Sequence, residues 1–168
     1  MAQGILFNEF YRHMYNLSMR IIANHHDVED VLIMSFTKVF NSIEKFEYRG
    51  DHSLNKWIKT IVVNESIRFI NAKNKMSFED DLIDPNLFTN NEPELEDIDA
   101  EQIYSIIEAM PDGYRVVFNL FALEGYSHKE IAELLEISEN TSKSQLRKAR
   151  IHIIEKLTKT KKYGYSGN

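Results

Sequence analysis

The sequence predicts an all-α protein of two small helical domains joined by an acidic linker, with a helix-turn-helix (winged-helix-like) C-terminal domain. Apolar residues recur at intervals of three and four along most of the chain, the period of a helix that buries one face. This period is lost between residues 77 and 97, where proline, asparagine and acidic residues accumulate. We therefore place one domain at residues 1–76, a linker at 77–97 and a second domain at 98–162.

The negative charge of the chain is concentrated around this linker. The 168 residues contain 20 bases and 26 acids, for a formal net charge of -6 at pH 7. About ten of the acids stand between Glu79 and Glu101, a stretch without lysine or arginine, so the rest of the chain is mildly basic. The linker is either a solvated tether that repels itself or an extended acidic mimic that occupies a basic nucleic-acid channel on a partner. Since DNA meets only a local patch of a protein, the net charge does not exclude DNA binding.

The composition excludes several classes of function. The chain has no cysteine, so disulfides, thiolate metal sites and cysteine nucleophiles are excluded, and a reducing compartment fits. No window approaches the roughly 20 apolar residues of a membrane span, and the N-terminus lacks the regions of a signal peptide. We therefore expect a soluble, cytoplasmic protein with no membrane insertion.

Three amphipathic helices are predicted for the first domain. The inward stripe of the first helix consists of Phe7, Phe10, Tyr11, Met14, Leu17 and Ile21. Asp27 is the expected N-cap of the second helix. The inward stripe of that helix consists of Val28, Val31, Leu32, Phe36, Val39 and Ile43. After a turn at Gly50, Ser53 is the expected cap of the third helix. Its inward face consists of Leu54, Trp57, Ile58, Ile61 and Val62.

Two outward sets of residues in this domain are candidates for binding. The outward side of the second helix carries Asp30, Ile33, Met34 and Thr37. The adjacent Ile33 and Met34 indicate either a partner surface or ordinary scattered exposure. The other set combines aromatic, polar and basic side chains that can stack on and hold unpaired bases: Phe46, Tyr48, Arg49, Lys56, Lys59, Asn64 and Arg68. Trp57 is assigned to packing, whereas Phe46 and Tyr48 stand in a polar loop and fit either packing or binding.

The second domain is predicted to be a helix-turn-helix preceded by two helices. The first of these helices ends at a proline, and its inward stripe consists of Ile103, Ile106, Ile107 and Met110. The second runs from Asp112 to a left-handed Gly125. Ser127 and Glu130 form a capping box for a short helix, and Ser138 caps a long one. A short helix, a turn of about three residues and a longer helix is the layout of a helix-turn-helix.

The last helix is the candidate reader of duplex DNA. Its inward row consists of Ser142, Leu146, Ala149 and Ile153. Half a turn away, the outward residues are Asn140, Ser144, Arg147 and Lys148, flanked by Thr141, Lys143, Gln145 and Arg150. Such side chains can donate to base edges and phosphates in a major groove. A merely solvated basic face is the alternative, but the caps, the turn and the outward polar set agree with one another and favour DNA binding.

Three segments of the chain resemble the sigma-70 family of bacterial RNA polymerase sigma factors, in its two-domain extracytoplasmic-function (ECF) type. The segment "DVEDVLIMSFTKVF" resembles the part that docks on the polymerase clamp. The segment "SLNKWIKTIVVNESIRFI" resembles the helix that reads the -10 element, and "MPDGYRVVFNLFALEGYSHKEIAELLEISENTSKSQLRKAR" resembles the domain that reads the -35 element. The resemblance implies sigma region 2 followed by sigma region 4, with bacterial core RNA polymerase and promoter DNA as partners. An anti-sigma factor is a further partner that is usual for this type.

The resemblance also assigns roles to the candidate residues. Polymerase binding falls to Asp27, Asp30, Ile33, Met34 and Thr37. The -10 strand is opened and read by Phe46, Tyr48, Asn64 and Arg68, with Arg49, Lys56 and Lys59 adding positive charge. The -35 duplex meets the outward and flanking residues of the last helix, and the linker threads toward the active centre of the polymerase.

Four residues at three sites depart from the family pattern. Ile33 and Met34 stand where the family usually carries Gln-Glu, which makes the docking surface more apolar. Glu136 stands where the turn usually contains glycine, so a positive φ there would cost up to about 1 kcal/mol. Asn140 replaces a second common glycine and adds a candidate base contact.

Two other functions stay open on the residues alone. A free-standing helix-turn-helix regulator would bind duplex DNA without polymerase and would need a two-fold partner, for which the first domain offers no unused stripe. A metal-dependent enzyme would use ligands from "HHDVED", but adjacent histidines project about 100 degrees apart on a helix, and the acids suit a helix N-terminus. We expect no catalytic residues, no metal and no cofactor.

Overall fold

The computed structural model of the chain describes residues 2–74, 76, 78 and 99–164, all of whose regular structure is helical. The chain divides into two compact units, Met1–Met76 and Ser77–Asn168. The predicted linker at 77–97 lies almost entirely outside the described residues, and its role stays a prediction. Within the described part of the chain, no helix is long and apolar enough to cross a membrane.

The first unit is a bundle of three long helices. α1 spans Ala2–Ile22, α2 spans His25–Ser42 and α3 spans Ser53–Asn74, with a 3-10 turn at Ile43–Lys45. Each long helix packs against the other two. The predicted stripes supply much of the buried core, which includes Met14, Leu17, Ile21, Val28, Val31, Leu32, Phe36, Val39, Ile58 and Val62.

The buried face of α3 is longer and lies further round the helix than the predicted one. Ile58 and Val62 are buried as expected, but Leu54, Trp57 and Ile61 are only half-buried. The core continues instead through Val63, Ile67 and Ile70. Because α3 packs against both α1 and α2, its buried face is wider than a single apolar row, and the Trp57 side of the helix remains accessible.

The starts of α2 and α3 differ from the predicted caps. Asn24 is the N-cap of α2, and its side chain accepts a hydrogen bond of 3.1 Å from the backbone N–H of Asp27. The prediction of Asp27 as the N-cap was therefore wrong, because an asparagine that caps equally well precedes it in the sequence. Ser53 is the first residue of α3, and its hydroxyl accepts the Arg49 N–H at 3.3 Å, so it braces the preceding loop.

Residues 99–164 of the second unit form four α-helices and one π-helical segment. α4 spans Ala100–Glu108, α5 spans Asp112–Phe118, α6 spans His128–Leu135 and α7 spans Glu139–Gly164. α7 packs against α4, α5 and α6. One part of the core joins Ile107, Met110 and Ala149 with the half-buried Ile103, Tyr114, Phe118 and Ile153.

The predicted single helix from Asp112 to Gly125 is divided. After α5 the backbone widens into a π-helical segment, Asn119–Leu123, and the Glu124 N–H donates to the Asn119 carbonyl five residues back. Asn119 is fully buried, and its Nδ2 donates to the Arg115 carbonyl at 2.8 Å. Apolar spacing over five residues cannot distinguish a π turn from an α turn, so the division could not be predicted from the sequence. Gly125 has the predicted left-handed conformation, with φ of 74°.

The helix-turn-helix is formed by α6, a short turn and α7. Ser127 and Glu130 make the predicted capping box, and the Ser138 hydroxyl accepts the Thr141 N–H at 2.9 Å. Glu136 ends α6 with φ of 56°, so the condition under which a glutamate is strained at this position is met. Residues 99–164 hold no strand, so the predicted all-α helix-turn-helix domain is confirmed, and no β-wing accompanies it in these residues.

Candidate nucleic-acid interfaces

Eight residues of α7 were predicted to face outward or to flank the outward face. Asn140, Lys143 and Arg150 are exposed, and Ser144 and Arg147 are half-buried. The remaining three, Thr141, Gln145 and Lys148, are buried, so their predicted exposure was wrong. Since α7 packs against three helices, its buried face takes in two adjacent rows of side chains, whereas the sequence indicated one.

The three buried residues have different surroundings. The Thr141 hydroxyl lies 2.8 Å from the Ser138 hydroxyl, within the cap of α7. Gln145 is completely buried, and neither atom of its amide has a hydrogen-bond partner among the described residues. Lys148 is 8% exposed. In this conformation none of the three is as accessible to a DNA groove as the exposed residues of α7.

The accessible residues of α7 form a continuous polar stripe, which we call the α7 stripe. Its members are Asn140, Lys143, Ser144, Arg147 and Arg150. The electrostatic effect of this stripe is seen at His128, the first residue of α6. Burial lowers the pKa of His128, the positive charges of Lys143 and Arg150 lower it further, and Glu139 acts in the opposite direction. Lys143, Arg147 and Arg150 give the α7 stripe positive charge, which attracts a phosphate backbone.

His128 is a structural residue of this interface that sequence reasoning missed. Its ring stacks on Phe121, with centroids 4.5 Å apart and an interplanar angle of 20°. Its Nδ1 lies 2.9 Å from the Ser142 hydroxyl, which belongs to the buried row of α7. His128 thus joins the π-helical segment, α6 and α7. A histidine directly after a helix cap carries no sequence signal for such contacts.

The residues predicted to handle unpaired bases are divided between two cavities. The loop cavity, of about 430 Å³, is lined by Lys45, Phe46, Glu47, Arg49, Ser53 and Trp57. The rings of Phe46 and Trp57 lie 5.3 Å apart within it, so Trp57 has a cavity-lining role besides packing. Tyr48 is 70% exposed nearby, and its hydroxyl donates to Asp51 at 3.0 Å.

The second cavity lies between α2 and α3, and we call it the α2–α3 cavity. Its volume is about 420 Å³, and it is lined by Lys38, Asn41, Ser42, Ile61, Asn64, Glu65 and Arg68. Asn64 and Arg68 thus lie together, as their spacing of one helical turn predicts, but in a different cavity from Phe46 and Arg49. Lys56 and Lys59 are not among the lining residues of either cavity.

Glu65 is the residue of this cavity that the sequence pattern did not single out. It is 8% exposed, and its Oε1 accepts from Lys38 Nζ at 2.6 Å and from Arg68 Nη1 at 3.0 Å. The side chains of Lys38 and Arg68 are themselves 48% and 72% exposed. A buried glutamate is rare unless it is paired, but nothing in a single sequence shows which glutamate will be buried.

The outward face of α2 is as apolar as predicted. Ile33 is 64% exposed and Met34 is 43% exposed, and Asp30 and Thr37 are exposed beside them. Asp27 is only half-buried at the start of the helix, where its carboxylate accepts from Lys73 Nζ at 2.5 Å. Four of the five predicted polymerase-binding residues therefore form one accessible surface, which we call the α2 face, and Asp27 is occupied by an ion pair.

The histidines of "HHDVED" do not form a metal site with their neighbours. Nδ1 of His25 lies 2.6 Å from the hydroxyl of Tyr15, and the two rings stack. In the part of the chain that the structure describes, no group of three or more histidine, aspartate or glutamate side chains is arranged to hold a metal ion.

Comparisons with known proteins match both units of the chain. A family model described as sigma-70 region 2 matches residues 6–76, and a model described as sigma-70, region 4 matches residues 100–153. The ECF RNA polymerase sigma-E factor of Haemophilus influenzae is 26% identical over 168 residues, covering 93% of this chain and 87% of its own. The proteins of the same name from Salmonella typhimurium LT2 and Escherichia coli K12 are 28% and 27% identical over 143 residues. Each alignment covers 78% of this chain and 74% of the relative.

A solved structure shows the same fold. The match is to the co-crystal structure of the sigma factor RpoE in complex with the anti-sigma factor NepR from Bartonella quintana. It has a TM-score of 0.57 and 18% sequence identity, and it covers 92% of this chain and 96% of that one. At this identity the likeness concerns the fold alone.

Proposed function

The chain belongs to the sigma-70 family of RNA polymerase sigma factors, in its ECF type, and from this premise we propose how its two units share promoter recognition. It is a sigma factor that binds core RNA polymerase and directs promoter-specific transcription initiation. The observation that carries this function is the match of both units, in order, to the two family regions. A free-standing DNA-binding regulator would need only the second of them.

In our proposal the first unit binds the polymerase through the α2 face and holds the -10 strand in its two cavities. An exposed apolar pair such as Ile33 and Met34 gains free energy when a partner covers it. The loop cavity offers the Phe46 and Trp57 rings to an unpaired base, while Arg49 and Lys45 attract the backbone phosphates. Tyr48, exposed beside the cavity, is a second stacking surface.

In our proposal the second unit binds the -35 duplex through the α7 stripe. Helix-turn-helix proteins place the N-terminal residues of the second helix against base edges in the major groove. Asn140, Lys143 and Ser144 lie in that part of α7, and Arg147 and Arg150 follow on the same face. Thr141, Gln145 and Lys148 would join this contact only after a change in their surroundings, because they are buried here.

We also propose where the chain acts and which protein regulates it. The chain works beside the polymerase in the cytoplasm and performs no catalysis of its own. An anti-sigma factor is a proposed regulator, by analogy with the sigma factor RpoE of the Bartonella quintana complex, which is bound to the anti-sigma factor NepR. We propose the α2 face as its binding surface, because Ile33 and Met34 are exposed there. Competition between such a regulator and the polymerase for one apolar surface would control the amount of active enzyme.

The first test is co-purification with bacterial core RNA polymerase, followed by transcription from a promoter library with and without the chain. We expect a stable complex and new start sites that share an upstream motif. If core polymerase ignores the chain while the isolated chain shifts duplex promoter DNA, the free-standing regulator is the correct function. A core complex without new start sites would refute the promoter-recognition proposal.

A further inference from the structure

We propose that the α2–α3 cavity binds one unpaired nucleotide of the -10 strand, and that Glu65 selects for a base with an exocyclic amino group and against thymine. This inference rests on the proposed function, since it names the chemistry of one step in promoter reading. It goes beyond that function because it gives Glu65 and Lys38 a part in the selection of one base.

The two cavities follow one another along α3. Trp57 lines the loop cavity, and Ile61, Asn64 and Arg68 of the α2–α3 cavity occur four, seven and eleven positions later, on the same side of the helix. At a rise of 1.5 Å per residue, Asn64 lies about 10 Å from Trp57 along the axis. The two cavities are therefore separate sites, which would hold two different nucleotides of one extended strand.

The charges of the α2–α3 cavity have the arrangement that a nucleotide needs. The exposed ends of Lys38 and Arg68 lie at its rim, where they attract phosphate groups. The Glu65 carboxylate lies further inside, at 8% exposure. A small anion alone would meet this carboxylate unfavourably. A nucleotide can place its negative phosphate at the rim and a neutral base near Glu65.

Glu65 has an oxygen to offer to such a base. Both of its ion pairs, to Lys38 and to Arg68, use Oε1. Among the described residues no side chain or backbone group donates to Oε2, although an ionised carboxylate has about four acceptor positions. The two cations hold the carboxylate through Oε1, and Glu65 lines the cavity, so a base that enters the cavity can donate to Oε2.

This acceptor distinguishes among unpaired bases. A carboxylate accepts from the exocyclic amino groups of adenine, cytosine and guanine. Thymine has no amino group, and its one donor, N3–H, stands between two carbonyl oxygens whose partial negative charges repel a carboxylate. A thymine that turns a carbonyl oxygen toward Oε2 forms no hydrogen bond, and a buried polar group left without its partner costs free energy. Asn64 lines the same cavity and has both a donor and an acceptor, so it can bond to whichever base enters.

The simplest alternative is that Glu65 only ties α2 to α3 through its ion pairs. The variant Glu65→Gln separates the two roles, because glutamine keeps the shape and one acceptor but adds a donor that thymine can use. The experiment is transcription by core polymerase with the full-length chain from a library randomised across the -10 element. Glu9→Gln, an exposed change on α1 that is not among the lining residues of either cavity, is the matched control.

We expect the native chain to disfavour thymine at one non-template position about tenfold, and Glu65→Gln to remove most of that preference while Glu9→Gln keeps it. If Glu65→Gln lowers transcription from every library member by the same factor, Glu65 is structural only and the inference is wrong. Unchanged profiles would also refute it.

A second measurement uses the native chain and does not depend on how Glu65→Gln folds. At the selected position the preferred base is replaced by an analogue without the amino group: purine for adenine, hypoxanthine for guanine or 2-pyrimidinone for cytosine. We expect about a tenfold loss of transcription. No loss would overturn the inference. A native holoenzyme that shows no promoter preference at all refutes the proposed function instead, so the two failures are distinguishable.

Discussion

The Nδ1 atom of His128 lies 2.9 Å from the hydroxyl oxygen of Ser142, and this contact joins the first residue of α6 to the buried row of α7. The imidazole ring also stacks on the ring of Phe121, with centroids 4.5 Å apart. The orientation of α7 thus depends on an ionisable side chain. This arrangement leads to a pH-dependent prediction.

The stability of the second unit is expected to fall as the pH drops below about 6.5. Burial and the charge of Lys143 hold the pKa of His128 below its ordinary value of 6.5, so the folded state favours the neutral ring. The stabilisation is complete above the unfolded-state pKa and is lost as the pH falls from 6.5 through the folded-state pKa. Thermal unfolding of the full chain between about pH 5 and 8 measures it.

The matched variant for this prediction is His128→Gln, which keeps a hydrogen-bonding side chain but does not titrate. It should flatten the dependence of melting temperature on pH in this window. Burial also lowers the pKa of His152, so His152→Gln should remove a separate share of the slope. An unchanged slope in both variants would contradict the assignment to these residues.

Replacing Lys143 by alanine should weaken binding to all -35 sequences by a similar factor. Lys143 is exposed at the N-terminal end of the α7 stripe, and we expect its ammonium group to contact a phosphate, while the neighbouring Asn140 and Ser144 face base edges. The slope of log affinity against log salt concentration should decrease in magnitude by about one, which corresponds to one lost phosphate contact. Binding of the holoenzyme to promoter DNA is measured over a series of salt concentrations. Lys159 is an exposed lysine further along α7. We expect Lys159→Ala to leave the affinity for promoter DNA and its salt dependence unchanged.

The variant Ile33→Asp should weaken binding to core polymerase by at least about tenfold, because it places an unpaired charge in an apolar contact. Ile33 is 64% exposed, so the free chain should keep its stability. Ile5→Asp changes a residue of similar exposure, 69%, on α1. Titration of labelled chain with core polymerase gives both affinities. Equal losses of affinity for core polymerase in the two variants would show that the α2 face has no special role in polymerase binding.

Replacing Glu136 by glycine should stabilise the chain by about 0.5–1 kcal/mol. Glu136 has φ of 56°, a conformation that costs free energy for a residue with a Cβ and not for glycine. Urea unfolding, with the slope checked for constancy, measures the change. Glu133→Gly within α6 is the contrasting variant and should destabilise the chain by about 1 kcal/mol. A destabilised Glu136→Gly variant would contradict this account of the turn.

The helical bundle could be predicted from the sequence because its signals are local and repeated. The apolar stripe through Met14 and Leu17 and the stripe through Val31 each extend over several helical turns, and all three residues are buried. The capping box at Ser127 was also predictable, since it depends on a few neighbouring residues. The left-handed Glu136 was raised only as a condition, from the glycine that is usual at this turn in the family.

The features that could not be predicted depend on contacts between distant segments. Gln145 and Lys148 are buried because α7 meets several neighbours at once, which a single helical wheel does not show. The Glu65 carboxylate accepts a hydrogen bond from Lys38, which lies on α2, 27 positions earlier in the chain. The His128 ring contacts the Ser142 hydroxyl across the turn between α6 and α7. The division of the -10 residues between two cavities has the same origin, because spacing within α3 says nothing about the residues of α2 opposite it.

Trp57 is the only tryptophan of the chain, and it lines the loop cavity beside Phe46. Fluorescence excited selectively at the indole would therefore report on this one location, with little contribution from the 8 tyrosines. If a nucleobase stacks on Trp57 as proposed, it will quench this emission, and the fluorescence will then report promoter melting. The moment at which a base enters the loop cavity can be timed in an unlabelled holoenzyme once the tryptophan background of the polymerase is subtracted.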